Sequence, residues 1–236
     1  MSRKLNLVLL FDIDGTLIKT GGAGKYAMED TFTELYNVPK GMKTISFAGS
    51  TDLGIYDMAL KLHDLTIQAS EHESIFRKKY LERLALYIKS KPRGQKILPG
   101  VVDFLDFLQA RDDVFISLVT GNYKEGARIK LEHFNLHHYF TEGAFGCDFA
   151  DRNLLPPLAL ERINNMGYQL PPKERIWIIG DTVRDIECAR HSGLPSLITF
   201  TGFNTRREIL KQKPELTLET LEEFPRFLEF IHYTTN

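Results

Sequence analysis

An apolar run, Leu5 to Phe11 with Asn6 its one polar residue, leads directly into Asp12-Ile13-Asp14. No other feature constrains the chain as much. A run rich in Leu and Val suits a strand buried on both faces, as in a parallel sheet. Acids just past such a strand stand where open parallel sheets bind ligands. Arg3 and Lys4 precede the run, which gives it a superficial likeness to a signal peptide. It is too short for one, has no small-residue cleavage site and ends in acids. No later stretch approaches the roughly 18 uncharged residues of a membrane span.

Four further segments read as strands: Val114 to Val119, Tyr139 to Phe145, Arg175 to Ile179 and Ser196 to Phe200. Helical patterns separate them. Val101, Phe104, Leu105 and Leu108 recur at helical spacing; Leu155, Ala159 and Ile163 mark a second helix stopped near Gly167. Ile186, Ala189 and Arg190 lie on a third, ending at Gly193, and Pro225 opens a short last helix. Strand and helix in alternation predict an α/β fold, a doubly wound parallel sheet.

The stretch from Ile18 to Lys96 breaks this rhythm. It is helical throughout: Met28, Phe32, Leu35 and Tyr36 share a face, and Ser70 with Glu73 forms a capping-box pattern. That pattern opens a helix carrying Phe76, Tyr80, Leu84 and Tyr87, and Lys89 to Gln95 reads as a return linker. A crossover between parallel strands needs only about a dozen residues or somewhat more. The economical division is a core of residues 1–17 and 96–236 with an all-helical cap, residues 18–95, inserted after the first strand.

Composition sets the broad class. The chain has 236 residues, 43% apolar and 26% charged, with a formal net charge of −1. That is a globular balance with no basic field to draw nucleic acid or an acidic membrane. Cys147 and Cys188 have no metal-ligand spacing and form no disulfide framework. They fit reduced core thiols of a cytoplasmic protein. His133, His137 and His138 fall on a helix end and loop and read as solvated surface, and Trp177 as core.

The chemistry gathers at three strand ends. The first reads Asp12-Ile13-Asp14-Gly15-Thr16, the second Thr120-Gly121-Asn122, and the fourth Gly180-Asp181-Thr182 with Asp185 one turn on. Several carboxylates in one crevice cannot all stay ionised without a cation. Hard oxygen ligands without clustered His or Cys point to Mg²⁺. Gly15, Gly121 and Gly180 let backbone amides approach an anion closely.

These residues resemble the first, second and fourth motifs of the haloacid dehalogenase-like superfamily. Within it the chain is similar to the phosphoglycolate phosphatase and β-phosphoglucomutase branch, in motif order, strand positions and inserted cap. The resemblance implies a core strand order of 3-2-1-4-5 and a Mg²⁺-dependent phosphatase. It casts Asp12 as the nucleophile, forming an aspartyl-phosphate, and Asp14 as the acid that protonates the leaving oxygen and then activates water. Thr120 and the amides near Gly121 and Asn122 would bind the phosphoryl group. Asp12, the Asp14 carbonyl and Asp181 would hold the metal, with Asp185 a ligand or an orienting group. An acid at Asp14 disfavours dehalogenation, which protonates no alkoxide.

One motif departs from the pattern. The third normally supplies Lys, and the stretch from Asp148 to Pro156 has none; Arg152 is the expected substitute. Lys124 and Lys130 compete for that role, but the helix after Asn122 is expected to carry them away from the crevice. Gly49-Ser50-Thr51-Asp52 reads as a loop ending in a helix N-cap. In the branch that the chain resembles, a cap loop near this place meets the substrate, which makes Gly49 and Thr51 candidates for that contact. Gly21, Gly22 and Gly24 read as a hinge or a plain connection. The expected partner is a small phosphorylated metabolite, and the expected state a monomer or small homo-oligomer. A phosphomutase shares these motifs. A receiver-type signalling domain lacks the inserted helices, and an inactive phosphate-binding relative would not need both Asp12 and Asp14.

Overall fold

A computed structural model describes residues 3–65, 69–90 and 93–233, without the side chains of residues 69–71. The Ser70 side chain, on which the expected capping pattern depends, and Pro92 of the expected linker lie outside what is described.

The central strand is β2 (Leu7–Phe11), every residue of it buried; β1 (Arg3–Lys4) precedes it. Leu7, Leu9 and Phe11 point to one face of the sheet, Val8 and Leu10 to the other. This is the period-2 alternation of a strand covered on both sides. In the sheet, β2 lies between β5 (Val114–Thr120) and β8 (Ile176–Gly180). Beyond β5 lies β6 (Gly143–Phe145); beyond β8 lie β9 (Ser196–Thr199) and β10 (Leu216–Leu218). All these pairings are parallel, and the order is β10-β9-β8-β2-β5-β6. The expected 3-2-1-4-5 order is present, extended by a sixth strand that has only three residues to signal it.

Helices α4 (Val101–Gln109), α5 (Lys124–His133) and α9 (Phe224–Phe230) cover the face of Leu9. Helices α6 (Leu155–Asn165) and α7 (Val183–Ser192) cover the face of Val8. A short α8 (Arg206–Lys211) packs Ile209 on Ile198. The result is three layers with the strand C-termini opening to one side. The third strand differs from expectation. Only Gly143–Phe145 is extended, because His137–Tyr139 forms a tight turn that delivers Tyr139 and Phe140 to the core.

Between β3 (Ile18–Thr20) and β4 (Gln95–Ile97), which pair antiparallel, lies the helical cap region. It comprises α1 (Ala23–Tyr36), α2 (Asp52–Leu62) and α3 (Ala69–Ser90). Met28, Phe32, Ile55, Tyr56, Phe76, Tyr80 and Leu84 form its own apolar cluster, which also takes in Tyr123 of the core. A further pair, β1 with β7 (Tyr168–Gln169), tethers the N-terminus. No helix among the described residues is long and apolar enough to cross a membrane.

Candidate active site

Asp12 follows β2 directly, and its amide donates to Ile179 O of the neighbouring strand at 2.9 Å. That bond sets it beside Asp181, which follows β8. Ligand oxygens of Asp12, Asp181 and Asp185 all lie within 4.8 Å of one another, and all three residues are buried. Gly202 makes room for this cluster: a Cβ there would lie 1.6 Å from Asp181 Oδ2.

Arg152 is the cation of the cluster. It sits in a 3₁₀ turn before α6, 5% exposed, with Nη2 2.6 Å from Asp185 Oδ1 and 3.3 Å from Asp12 Oδ1. The third-motif position thus brings a guanidinium against the expected nucleophile. Burial works to lower the Arg152 pKa, but Asp185 and Asp12 outweigh it and hold the group firmly charged. Asp185 Oδ2 accepts from the Thr182 amide at 2.9 Å and the Thr182 hydroxyl at 2.7 Å. It therefore caps α7 and anchors Arg152 together.

Three carboxylates face one guanidinium, so negative charge is in excess. Burial raises the Asp12 pKa to about 6 against the pull of Arg152, with Asp185 and Asp14 adding to the rise. Asp181 is driven well above its ordinary value by burial and then by Asp185 and Asp12. Its Oδ1 accepts from Thr16 Oγ1 at 2.8 Å, while its buried Oδ2 has no hydrogen-bond partner. An orphaned carboxylate oxygen amid excess negative charge, with hard oxygen donors alone, fits a divalent cation.

Asp14 lies apart from this cluster. It is half-buried on the cavity wall, and its Oδ2 accepts from Lys130 Nζ at 2.6 Å and Asn122 Nδ2 at 2.9 Å. Asn122 Nδ2 also donates to Thr120 Oγ1 at 2.8 Å, and Asn122 Oδ1 accepts from Lys130 at 2.5 Å. Thr120 is fully buried behind Asn122 and accepts this bond, so its hydroxyl hydrogen is left for another acceptor.

Lys130 corrects the sequence expectation. Lys124 is exposed, over the ring of Phe145, but Lys130 is only 4% exposed and reaches the crevice. Helical side chains lean toward the N-terminus, so a long one in the second turn of α5 comes back to the strand end. The signal was in the helix pattern: Ala127, Lys130, Leu131 and Phe134 share one face, and Ala127 and Leu131 are buried core.

A cavity of about 630 Å³ opens over these groups. Asp12, Asp14, Asn122, Lys130 and Arg152 are among its polar lining; Met28, Ile45, Phe47, Ile55 and Phe203 are among its apolar lining, and Lys19 and Lys25 also stand on the wall. Gly49 is on the wall, but Thr51 is not. Thr51 caps α2 by accepting from Gly54 N at 3.0 Å and donates to Ala150 O at 2.7 Å. Its hydroxyl joins the cap loop to the core instead of meeting a substrate. Gly121 O accepts from Asp52 N at 2.6 Å, a second such tie, and Arg152 Nη1 donates to Gly49 O at 3.3 Å.

A family model described as haloacid dehalogenase-like hydrolase matches residues 9–199. The chain belongs to that family. Within it the chain lies in the phosphoglycolate phosphatase-like branch, at a distance. It is 25% identical over 229 residues to a phosphoglycolate phosphatase of Aquifex aeolicus, covering 94% of this chain and 96% of the relative. It is 24% identical to phosphoglycolate phosphatase 1 of Pseudomonas aeruginosa, covering 93% of this chain and 79% of that one. Among solved structures it is similar to CbbY from Rhodobacter sphaeroides in complex with phosphate. The TM-score is 0.68 at 18% identity, over 93% of this chain and 96% of that one, a likeness of fold. The haloacid dehalogenase-like hydrolase fold thus places an acid cluster, a guanidinium and a separately held acid around one cavity.

Proposed function

We propose that the chain is a Mg²⁺-dependent phosphatase of small phosphorylated metabolites, working through an aspartyl-phosphate on Asp12. The observation that carries this reading is the contrast between two carboxylates two residues apart. Asp12 is buried among acids against Arg152, while Asp14 faces the cavity, tied by one oxygen to Lys130 and Asn122. That contrast supports attack by the first and proton transfer by the second.

Asp12, Asp181 and the Asp14 carbonyl would hold the Mg²⁺, with Asp185 orienting the cluster, since both its oxygens already have partners. When bound, the metal would offset the excess charge and screen the phosphoryl oxygens. An Asp12 oxygen then attacks phosphorus as the bond to the leaving oxygen breaks, and Asp14 gives that oxygen its proton. Asp14 next takes a proton from water, whose oxygen attacks phosphorus and breaks the bond to Asp12. Phosphate leaves and both carboxyls return to their starting state. The Thr120 hydroxyl, Arg152 and the amides at Gly121 and Asn122 would bear on the phosphoryl group.

The segment 18–95 would serve as the cap that walls off water, with the Gly21–Gly22 bend as its hinge. The cavity lining is apolar in part and includes Lys19 and Lys25, and the names of the relatives make phosphoglycolate the first substrate to try. Phosphate release should be measured with Mg²⁺ across a panel of phosphorylated metabolites and aryl phosphates. Release from at least one, abolished by chelation, is the expected result. Isomerised sugar phosphate in excess of free phosphate would instead mean a mutase.

A further inference from the structure

Lys130 has no role in the motifs that define this family, yet it makes a closely held contact of the site. Burying an ammonium costs several kcal/mol unless its hydrogens find partners. Both close partners of Lys130, Asp14 Oδ2 at 2.6 Å and Asn122 Oδ1 at 2.5 Å, are residues of the polar wall. Its surroundings leave no slack. A Cβ on Gly24 of the cap would lie 3.3 Å from Nζ and 3.7 Å from the Tyr80 hydroxyl.

We infer that Lys130 is the positioning residue that decides which oxygen of Asp14 meets the leaving group. An ammonium only donates, and so does the Asn122 Nδ2 that shares Asp14 Oδ2 with it. Oδ2 therefore acts solely as an acceptor, and the oxygen that carries a transferable proton is Oδ1. The same ammonium orients the Asn122 amide. By holding Oδ1 of Asn122, it turns Nδ2 toward Asp14 and Thr120. One cation thus fixes the acid directly and through a second side chain. Proton transfer is sensitive to errors of this size, since a misplacement of about 1 Å can lower a rate by roughly 10².

This inference rests on the phosphatase reading, and the test keeps the two apart. The probes are p-nitrophenyl phosphate, whose leaving group departs without a proton, and phenyl phosphate, of similar shape, whose leaving group needs one. With Mg²⁺, kcat/KM for both reports the step that forms the aspartyl-phosphate. Lys130→Met keeps the apolar stem and removes the donors. It is expected to lower kcat/KM on phenyl phosphate by roughly tenfold more than on p-nitrophenyl phosphate, within the range of general acid catalysis. Lys130→Gln, which keeps a neutral amide donor group, should widen the ratio less, and it stands in if Lys130→Met does not fold. Equal losses on both esters, or no loss, would overturn the role of Lys130. A wild-type protein inactive on both esters would overturn the phosphatase reading itself.

Discussion

Arg152 Nη2 lies 2.6 Å from Asp185 Oδ1 with both side chains buried, and the same nitrogen reaches Asp12 at 3.3 Å. An acid that caps α7 thereby aims a guanidinium at the carboxylate that follows the central strand. The expected third-motif cation is held from behind by an acid of the expected fourth motif, so the fold and the proposed chemistry meet at one side chain.

Removing it should show in both. Arg152→Ala is expected to lower kcat/KM by roughly 10² or more, as losing a charge-stabilising group does. It should also destabilise the fold by about 3–5 kcal/mol, because it leaves Asp185 buried without its partner. Arg152→Lys keeps the charge but cannot span Asp185, Asp12 and Gly49 O, so it should recover only part of the activity. Steady-state kinetics beside denaturant unfolding would separate the effects. An active, equally stable Arg152→Ala protein contradicts the geometry.

The two acids after β2 should fail in different ways. Asp12→Asn is expected to abolish turnover with the circular dichroism spectrum unchanged. Asp14→Ala should retain a residue of activity, lower by roughly 10²–10⁴, the contribution of a general acid–base group. A rate measured to that depth on purified variants checks both, and comparable activity in either would remove its assigned role.

The layered core and the acid-bearing strand ends were legible because continuous apolar runs and short motifs carry them. Leu7 to Phe11 reads as a buried strand, and Asp12, Asp181, Asp185 and Arg152 come together at the strand ends, with Asp14 held apart by Lys130 and Asn122. What was not legible depended on tertiary reach. Tyr139 and Phe140 look like strand residues, yet they enter the core from a turn. Leu216–Leu218 is too short to announce a strand. Lys130 escapes a reading by helix axis alone, because its long side chain leans back toward the strand end. Thr51 sits beside Gly49 in sequence, but its hydroxyl points to Ala150 O.

Acid excess predicts a pH-dependent stability. The Asp181 carboxyl has an ordinary value of 3.8, and burial lifts it well above that in the folded state. Its favourable contribution is complete below about 3.8 and is lost as pH rises through the folded value. Asp12 and Asp52, each raised to about 6 by burial, act in the same direction. In chelator, Asp181→Asn should therefore melt above wild type by a margin that widens from pH 4 to 7. Each kcal/mol corresponds to about 2–4 °C in a protein of this size. Mg²⁺ should raise the wild-type Tm more at pH 7 than at pH 5 and leave Asp181→Asn little changed. Thermal melts across pH with and without metal decide this.

Activity should follow the metal in kind as well as presence. Ca²⁺ forms longer bonds with more ligands than Mg²⁺, which would displace the Asp12 oxygen from in-line attack. Phosphate release should be restored by Mg²⁺ after chelation and only poorly by Ca²⁺. Full turnover in excess chelator would refute the metal assignment.

Gly121 offers a test of how the cap loop and the core depend on each other. The loop lies directly on this residue: a Cβ at Gly121 would sit 2.1 Å from Ser50 O and 3.1 Å from the Thr51 Cα. Those neighbours are backbone and cannot swing aside as a side-chain end could. The loop is also tied there, through Asp52 N to Gly121 O at 2.6 Å and Thr51 Oγ1 to Ala150 O at 2.7 Å. Gly121→Ala should lift the loop from the strand end and loosen both ties. The atoms nearest the new methyl group belong to Ser50 and Thr51 of the loop and not to Asp12 or Asp181, so the effect of Mg²⁺ on Tm should persist. Without a seated loop the cavity admits water and holds its ligand less well, so kcat/KM should fall by roughly tenfold or more. Melting with and without Mg²⁺, set beside kinetics on one aryl phosphate, tests the pair of outcomes. Unchanged kinetics would mean that the loop's seat on Gly121 plays no part in turnover.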